Sequence, residues 1–168
     1  GRGSLLWEDP NWMGDGPSQL LADDDRLWKL AAVLRAGRSA ESVSLETGID
    51  PWFSHALSRI IEMERQLLAE ELTPDLMRNA KRMGFSDAQI GSLADYLPEQ
   101  VRPMRKGWGL KPVYKMVDTC AGEFEAVTPY FYSTYEQENE AVSSEDTVAV
   151  VLGSGPIRIG QGIEFDYC

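Results

Sequence analysis

Apolar residues recur every three or four positions through the first hundred residues, a spacing typical of amphipathic helices. Most of these stretches follow a residue that caps helices well, in two cases with proline at the first helical position: Ser39, Asp50-Pro51, Thr73-Pro74 and Ser86, which forms a capping-box pattern with Gln89. Glycines follow several stretches: Gly37, Gly48 and Gly84. The pattern predicts a compact helical domain of roughly five to seven short helices.

The apolar positions also predict which helix faces form the core. The helix starting at Pro51 is expected to run to about Glu70, with this stripe facing the core: Phe53, Ala56, Leu57, Ile60, Ile61, Leu67 and Leu68. An earlier helix, capped by Asp24 or Asp25, has its own stripe: Leu27, Trp28, Leu30, Ala31 and Leu34. The short helix after Ser39 has Val43 and Leu45. In the weakest predicted helix, from Pro98 to about Lys106, Pro103 should bend or shorten the segment.

Periodicity is lost on either side of this helical region. Residues 1–23 contain glycine and proline without a repeat, which predicts an irregular lead-in. Residues 108–140 are aromatic, and the run at Tyr130, Phe131, Tyr132 and Tyr135 is compatible with a helix or with an irregular segment packed on the bundle. Residues 136–146 are acidic and serine-bearing, which is typical of a domain boundary.

The C-terminal residues predict a different architecture. Residues 147–152 form a continuous apolar run, as in a strand covered on both faces. Gly153, Gly155 and Gly160 follow, and a helix is expected to begin near Ile163. The predicted fold class is therefore mainly α: a helical domain, then an isolated β-strand, glycine-rich turn and helix start belonging to an α/β domain that is incomplete at Cys168.

Composition and charge narrow the function classes. A hydrophobic fraction of 43% predicts a globular core. A net charge of −11 argues against nucleic acid and anionic membranes as partners, since both attract basic proteins. Cys120 and Cys168 are far apart, which favours a reducing compartment such as the cytoplasm. No apolar run approaches the roughly 20 residues of a membrane span.

Candidate chemistry is sparse. The glycine loop fits neither the dinucleotide nor the phosphate-loop spacing, so a structural turn is favoured, with phosphate binding the alternative. His55 is expected on a helix face, and no cysteine or histidine spacing indicates a metal site. Glu164 stands out because it follows the glycine turn between Ile163 and Phe165, where a buried carboxylate would need partners. No catalytic, cofactor-binding or metal-binding residue is predicted.

A free-standing helical interaction module remains an alternative. Residues 39–57 and 86–107 each resemble a helix-turn-helix pair, and Arg102, Arg105 and Lys106 add positive charge to the second. The acidity of the chain makes DNA binding an unfavoured form of this alternative.

Three long matches give a specific resemblance: Val113-Tyr-Lys-Met-Val-Asp-Thr-Cys-Ala-Gly-Glu-Phe124, Tyr132-Ser-Thr-Tyr-Glu136 and residues 151–168. Together they resemble the middle of the carbamoyl-phosphate synthase large chain, where a helical oligomerisation domain joins two ATP-using halves. The resemblance divides the chain into an irregular lead-in at 1–23, the oligomerisation domain at 24–140, and a linker with the start of the C-terminal half at 141–168.

The resemblance implies that the whole enzyme makes carbamoyl phosphate from bicarbonate, glutamine-derived ammonia and two ATP, for arginine and pyrimidine synthesis. ATP with Mg²⁺ or Mn²⁺ would be used by the two ATP-grasp halves, not by this segment, which would be non-catalytic. Expected partners are those halves, the glutaminase small chain and other large chains. Gly162 and Glu164 would line the ammonia and carbamate tunnel. The expected location is the cytoplasm, or an organelle in a eukaryote.

Overall fold

The computed structural model describes residue 20 and residues 22–125, 130–143 and 146–150. Within these ranges the chain forms six α-helices followed by a two-stranded antiparallel sheet. The helices are α1 (Arg26–Arg35), α2 (Ala40–Thr47), α3 (Pro51–Ala69), α4 (Pro74–Arg82), α5 (Asp87–Leu93) and α6 (Pro98–Gly107). The strands are β1 (Val113–Met116) and β2 (Phe131–Thr134). The mainly α fold class is confirmed.

The helix starts form where the capping residues predicted them. The Asp50 carboxylate accepts a hydrogen bond from the Trp52 N–H at 2.8 Å. Ser86 and Gln89 form both bonds of a capping box. These contacts satisfy backbone N–H groups that have no partner inside a helix, so short local sequences fix where each helix begins.

Two hydrophobic clusters form the core, and α3 contributes to both. The first cluster joins α1, α2 and α3: Leu20, Leu30, Ala31, Val33, Leu34, Val43 and Ile61. The second joins the C-terminal half of α3 to α4, α5 and α6: Met63, Leu67, Leu72, Leu76, Met77, Ala80, Phe85, Ile90, Val101 and Leu110. The helix α3 therefore connects both halves of the helical domain.

Some residues predicted for the core are exposed instead. Phe53 and Leu68 on α3, Leu45 on α2 and Leu27 on α1 all keep large exposed fractions. The apolar stripes are wider than the contacts that the neighbouring helices make, so their outer members face solvent. An exposed apolar residue is common on its own, but aromatic ones at adjacent positions indicate a contact surface.

The helix α6 continues through Pro103 to Gly107, so the predicted shortening does not occur. Proline cannot donate to the carbonyl four residues earlier, which here belongs to Glu99. Both residues are exposed, and water can therefore serve the freed carbonyl.

The aromatic segment forms a strand, and neither predicted alternative for it is correct. Phe131–Thr134 pairs with Val113–Met116, with Tyr114 opposite Ser133 and Met116 opposite Phe131. We call these two strands the ribbon. Tyr114, Phe131 and Tyr132 are about half exposed, so most of the ribbon extends away from the helical core.

The strand predicted at 147–152 is described only as far as residue 150. Residues 147–150 have no regular secondary structure and are exposed. A strand requires a neighbour for its hydrogen bonds, and no other described segment pairs with these residues. The rest of the predicted strand, the glycine turn and the helix start lie outside the described residues.

Candidate functional site

The predicted tunnel residues, Gly162 and Glu164, lie outside the described part of the chain. Trp7 and Trp12 also lie outside it. Trp52 is 64% exposed, whereas Trp108 is partly buried against the second hydrophobic cluster.

A charged cluster joins the helical domain to the ribbon, and sequence analysis did not identify it. At its centre, the Asp87 carboxylate accepts hydrogen bonds from Arg105 Nε at 3.1 Å and Nη2 at 3.0 Å. Lys81 Nζ lies 2.8 Å from the same carboxylate. The Tyr135 ring lies over both cations, 5.1 Å from Lys81 Nζ and 5.5 Å from Arg105 Cζ. We call these four residues the junction cluster.

The helix ends bring these charges together. Lys81 lies in the last turn of α4, and Asp87 is the first residue of α5. Both positions suit the helix dipole, which favours cations at the C-terminus and anions at the N-terminus. Arg105 lies in the last turn of α6, and its Nη1 donates to the Leu110 carbonyl at 2.9 Å. Its side chain is nearly buried, so Asp87 is needed to neutralise it.

The electrostatics of the cluster depend on burial and pairing. Burial raises the pKa of the Asp87 carboxyl, but hydrogen bonds from Arg105 and Lys81 outweigh it, and the pKa falls below the ordinary value. Burial also raises the pKa of the Tyr135 phenol, although the Arg105 charge opposes this. At neutral pH the cluster therefore holds an ionised aspartate and a neutral tyrosine.

A cleft of about 250 Å³ lies next to the cluster. Tyr135 forms one wall, and the cleft is further lined by Arg78, Arg82, Gly109, Leu110, Lys111, Glu136 and Gln137. Arg82 forms an ion pair with Glu136 at 3.2 Å across it. The last turn of α4 thus contacts the chain at two consecutive positions directly after β2.

The segment after β2 also covers the outer edge of β1. Asn139 Oδ1 accepts from the Tyr114 N–H at 2.8 Å, and Glu140 Oε2 accepts from the Met116 N–H at 2.7 Å. The Glu140 N–H donates to the Tyr114 carbonyl at 2.8 Å. The bond from Met116 and the nearby Lys115 ammonium lower the pKa of the Glu140 carboxyl.

A second exposed surface lies at the start of α3. The rings of Trp52 and Phe53 meet edge to face, with centroids 4.9 Å apart. Leu45 on the neighbouring α2 is 88% exposed. The two helices are joined near this surface by a buried hydrogen bond of 2.9 Å between Ser44 Oγ and Ser54 Oγ. We call Leu45, Trp52 and Phe53 the aromatic corner.

The remaining candidates have structural roles. His55 lies on the face of α3, half exposed, with Nε2 3.3 Å from Glu41 Oε1, which confirms its predicted position. Arg105, considered for DNA contact, is nearly buried and bonded to Asp87, so it cannot reach a phosphate. Within the described ranges, no helix is both long and apolar enough to span a bilayer.

Residues 19–109 match the family model described as the carbamoyl-phosphate synthetase large chain, oligomerisation domain. The chain belongs to this family. A second model, the carbamoyl phosphate synthase preATP-grasp domain, matches residues 145–168. Between the two matched regions lie the ribbon, Tyr135, and Asn139 and Glu140, which cover the edge of β1.

Three curated relatives are each named carbamoyl phosphate synthase large chain. The relative from Thermomicrobium roseum is 53% identical and aligns with 98% of this chain and 16% of its own length. The relative from Methanothrix thermoacetophila is 49% identical over 94% of this chain and 15% of its own length. The relative from Caldanaerobacter subterraneus subsp. tengcongensis is 46% identical over 92% and 15%. This member of the large-chain family therefore spans about one sixth of the length of the curated relatives.

Proposed function

We infer that this chain is a non-catalytic connecting and oligomerisation segment of a carbamoyl-phosphate synthase large chain. The whole enzyme would make carbamoyl phosphate from bicarbonate, glutamine-derived ammonia and two ATP, and supply arginine and pyrimidine synthesis. It would work in the cytoplasm, or in an organelle of a eukaryote.

The observation that carries this proposal is the place of the junction cluster. Its residues Lys81, Asp87 and Arg105 lie in the region matched to the oligomerisation domain, and Tyr135 lies between that region and the one matched to the preATP-grasp domain. Because Tyr135 and Glu136 are held by α4 and α6, the chain leaves the helical domain from a fixed point. A connecting segment needs such a point to hold two larger units in register.

The expected partners follow from this role. The two ATP-grasp halves of the large chain would flank the segment and use ATP with Mg²⁺ or Mn²⁺. The glutaminase small chain would supply ammonia. Other large chains would meet exposed apolar side chains on the helices, among them the aromatic corner.

Light scattering of the full large chain tests the oligomerisation role. Deleting residues 24–106 should reduce the molecular mass of the assembly. Because a deletion can disturb folding, the double substitution Trp52→Ser/Phe53→Ser provides a second test and should also weaken assembly. Leu97→Ser is the matched control, since Leu97 is 63% exposed but precedes α6 and belongs to neither α2 nor α3. Assembly that survives both changes would refute the assignment of the interface to the helices.

We also propose that Gly162 and Glu164 line a conduit for ammonia and carbamate. Excluding water protects a reactive intermediate. A glycine lets the backbone border the conduit without a side chain, and a carboxylate can accept a hydrogen bond from an N–H group. In the full enzyme, Glu164→Ala should lower the carbamoyl phosphate formed per glutamine hydrolysed, while glutamine hydrolysis continues. An unchanged ratio would remove Glu164 from the conduit.

A further inference from the structure

The two outer edges of the ribbon differ in how their backbone groups are hydrogen-bonded. In an antiparallel pair, residues alternate between pairs that bond to each other and pairs whose N–H and C=O groups point outward. The Val117 N–H donates to the Tyr130 carbonyl at 2.7 Å, which makes 117 and 130 a bonded pair. By alternation, Lys115 bonds with Tyr132, whereas the backbone groups of residues 114, 116, 131 and 133 point outward.

On β1, three of the four outward groups of residues 114 and 116 are occupied. Asn139 and Glu140 accept from the N–H groups of Tyr114 and Met116, and Glu140 donates to the Tyr114 carbonyl. On β2, no described residue bonds to the outward backbone groups of Phe131 and Ser133. Among the residues that the structure describes, the ribbon therefore has one covered edge and one open edge.

An open edge with exposed apolar side chains is a template for another strand. Phe131 and Tyr132 are about half exposed, on opposite faces of the ribbon. A two-stranded sheet is only marginally stable in water, and further strands stabilise it. The geometry thus points to an added strand along β2.

We propose that the open edge of β2 pairs antiparallel with β2 of a second copy, forming a four-stranded sheet across a two-fold axis. The edge is self-complementary. When Tyr132 faces Tyr132 of the second copy, Phe131 faces Ser133 of that copy, and Ser133 faces its Phe131. Every outward N–H and C=O group of these residues then finds a partner.

Local charge supports a second copy as the occupant. The chain has a net charge of −11, which opposes the approach of two copies over most of the surface. Residues 113–117 and 130–134 contain no acidic side chain, and Lys115 is their one charged residue. The ribbon is thus a place where two copies approach without placing like charges opposite each other.

This proposal rests on the proposed oligomerisation role and names a surface for it. The first test is cross-linking of the full large chain. Facing residues in a non-bonded antiparallel pair have Cβ atoms close to disulfide distance. After mild oxidation, Tyr132→Cys should give a cross-linked dimer, with the disulfide assigned by mass spectrometry. Thr134→Cys is the control: it shares the same face, but the two-fold axis separates the two copies of residue 134 by roughly 13 Å.

The second test measures association directly. Ser133→Pro removes an outward N–H group but no bond within the ribbon, and proline is tolerated at such edge positions. It should raise the dissociation constant of the large-chain assembly about tenfold, since one hydrogen bond is lost from each copy. Ser133→Ala keeps the N–H group and should leave the constant unchanged.

The outcomes separate this proposal from the broader role. An assembly that persists without cross-linking at residue 132, and without an effect of Ser133→Pro, overturns the edge pairing while leaving oligomerisation intact. A large chain that is monomeric at every concentration overturns both. A cross-link at residue 132 combined with weaker association of Ser133→Pro establishes the pairing.

Discussion

The Tyr135 ring lies 5.5 Å from the guanidinium carbon of Arg105, and this contact is where the ribbon meets the helical domain. Arg105 is itself held by Asp87 and by the Leu110 carbonyl. The position of the ribbon therefore depends on a cation that is fixed from within the helical core. Three of the following predictions test this arrangement.

Replacing Tyr135 should loosen the ribbon. Tyr135→Leu removes the aromatic face from two cations, and a cation–π contact contributes about 0.5–2 kcal/mol. The Val117 amide, which bonds to the Tyr130 carbonyl, should exchange its hydrogen with solvent about tenfold faster. Tyr135→Phe keeps the ring and should leave the exchange rate near that of the unsubstituted chain. Equal rates in the two variants would show that the ring does not anchor the ribbon.

Replacing Asp87 should destabilise the helical domain. Asp87→Asn leaves Arg105 nearly buried without its counter-charge, and we expect a loss of about 2–3 kcal/mol in the free energy of unfolding. Urea denaturation of the chain measures this loss. The control is Asp75→Asn. Asp75 pairs with Arg78 but is 87% exposed, and such surface pairs contribute little to stability. A loss no larger than the control would mean that the paired charges do not stabilise the fold.

The stabilisation from Asp87 should also depend on pH in a defined direction. Its folded pKa lies below the ordinary value of 3.8, so its ionised form favours the folded state. The contribution is fully present above pH 3.8 and is lost as the pH falls through the lower folded pKa. The difference in unfolding free energy between Asp87→Asn and the unsubstituted chain should therefore be constant above about pH 5 and shrink in stronger acid. A difference that grows as the pH falls would contradict this assignment.

Local signals in the sequence predicted the helices well, because each start depends on a few adjacent residues. Asp50 with Pro51 and Ser86 with Gln89 fix helix starts without any distant contact. The ribbon was missed because its strands are short and lie apart in the sequence, so the pairing of Tyr114 with Ser133 has no local signature. The available signal was the enrichment of β-branched and aromatic residues at 113–117 and 130–134.

The junction cluster could not be predicted for a related reason. Lys81, Asp87, Arg105 and Tyr135 come from four separate segments, and only their packing brings them together. Exposure of Phe53 and Leu68 was likewise hidden, since periodicity gives the apolar face of a helix but not the extent to which neighbours cover it.

The close approach of α5 and the segment before α6 gives the last prediction. Gly91 is buried in α5, and a Cβ atom at this position would lie 2.7 Å from the Tyr96 carbonyl oxygen and 3.2 Å from a Val101 methyl group. Because this carbonyl belongs to the backbone, the chain would have to shift to relieve a contact of 2.7 Å. We therefore expect Gly91→Ala to reduce the free energy of unfolding by about 1–3 kcal/mol, despite the better helix propensity of alanine.

Gly107, the last residue of α6, is the matched control for this change. Apart from its chain neighbours and the backbone of its own helix, no described residue has an atom within 4 Å of a Cβ placed there. Gly107→Ala should therefore leave stability unchanged or raise it by about 0.5–1 kcal/mol, because alanine restricts the unfolded chain more than glycine does. Thermal and urea denaturation of both variants measure the contrast. Equal stability of the two variants would show that α5 can move away from Tyr96 at little cost, and that the close packing at Gly91 does not stabilise the second hydrophobic cluster.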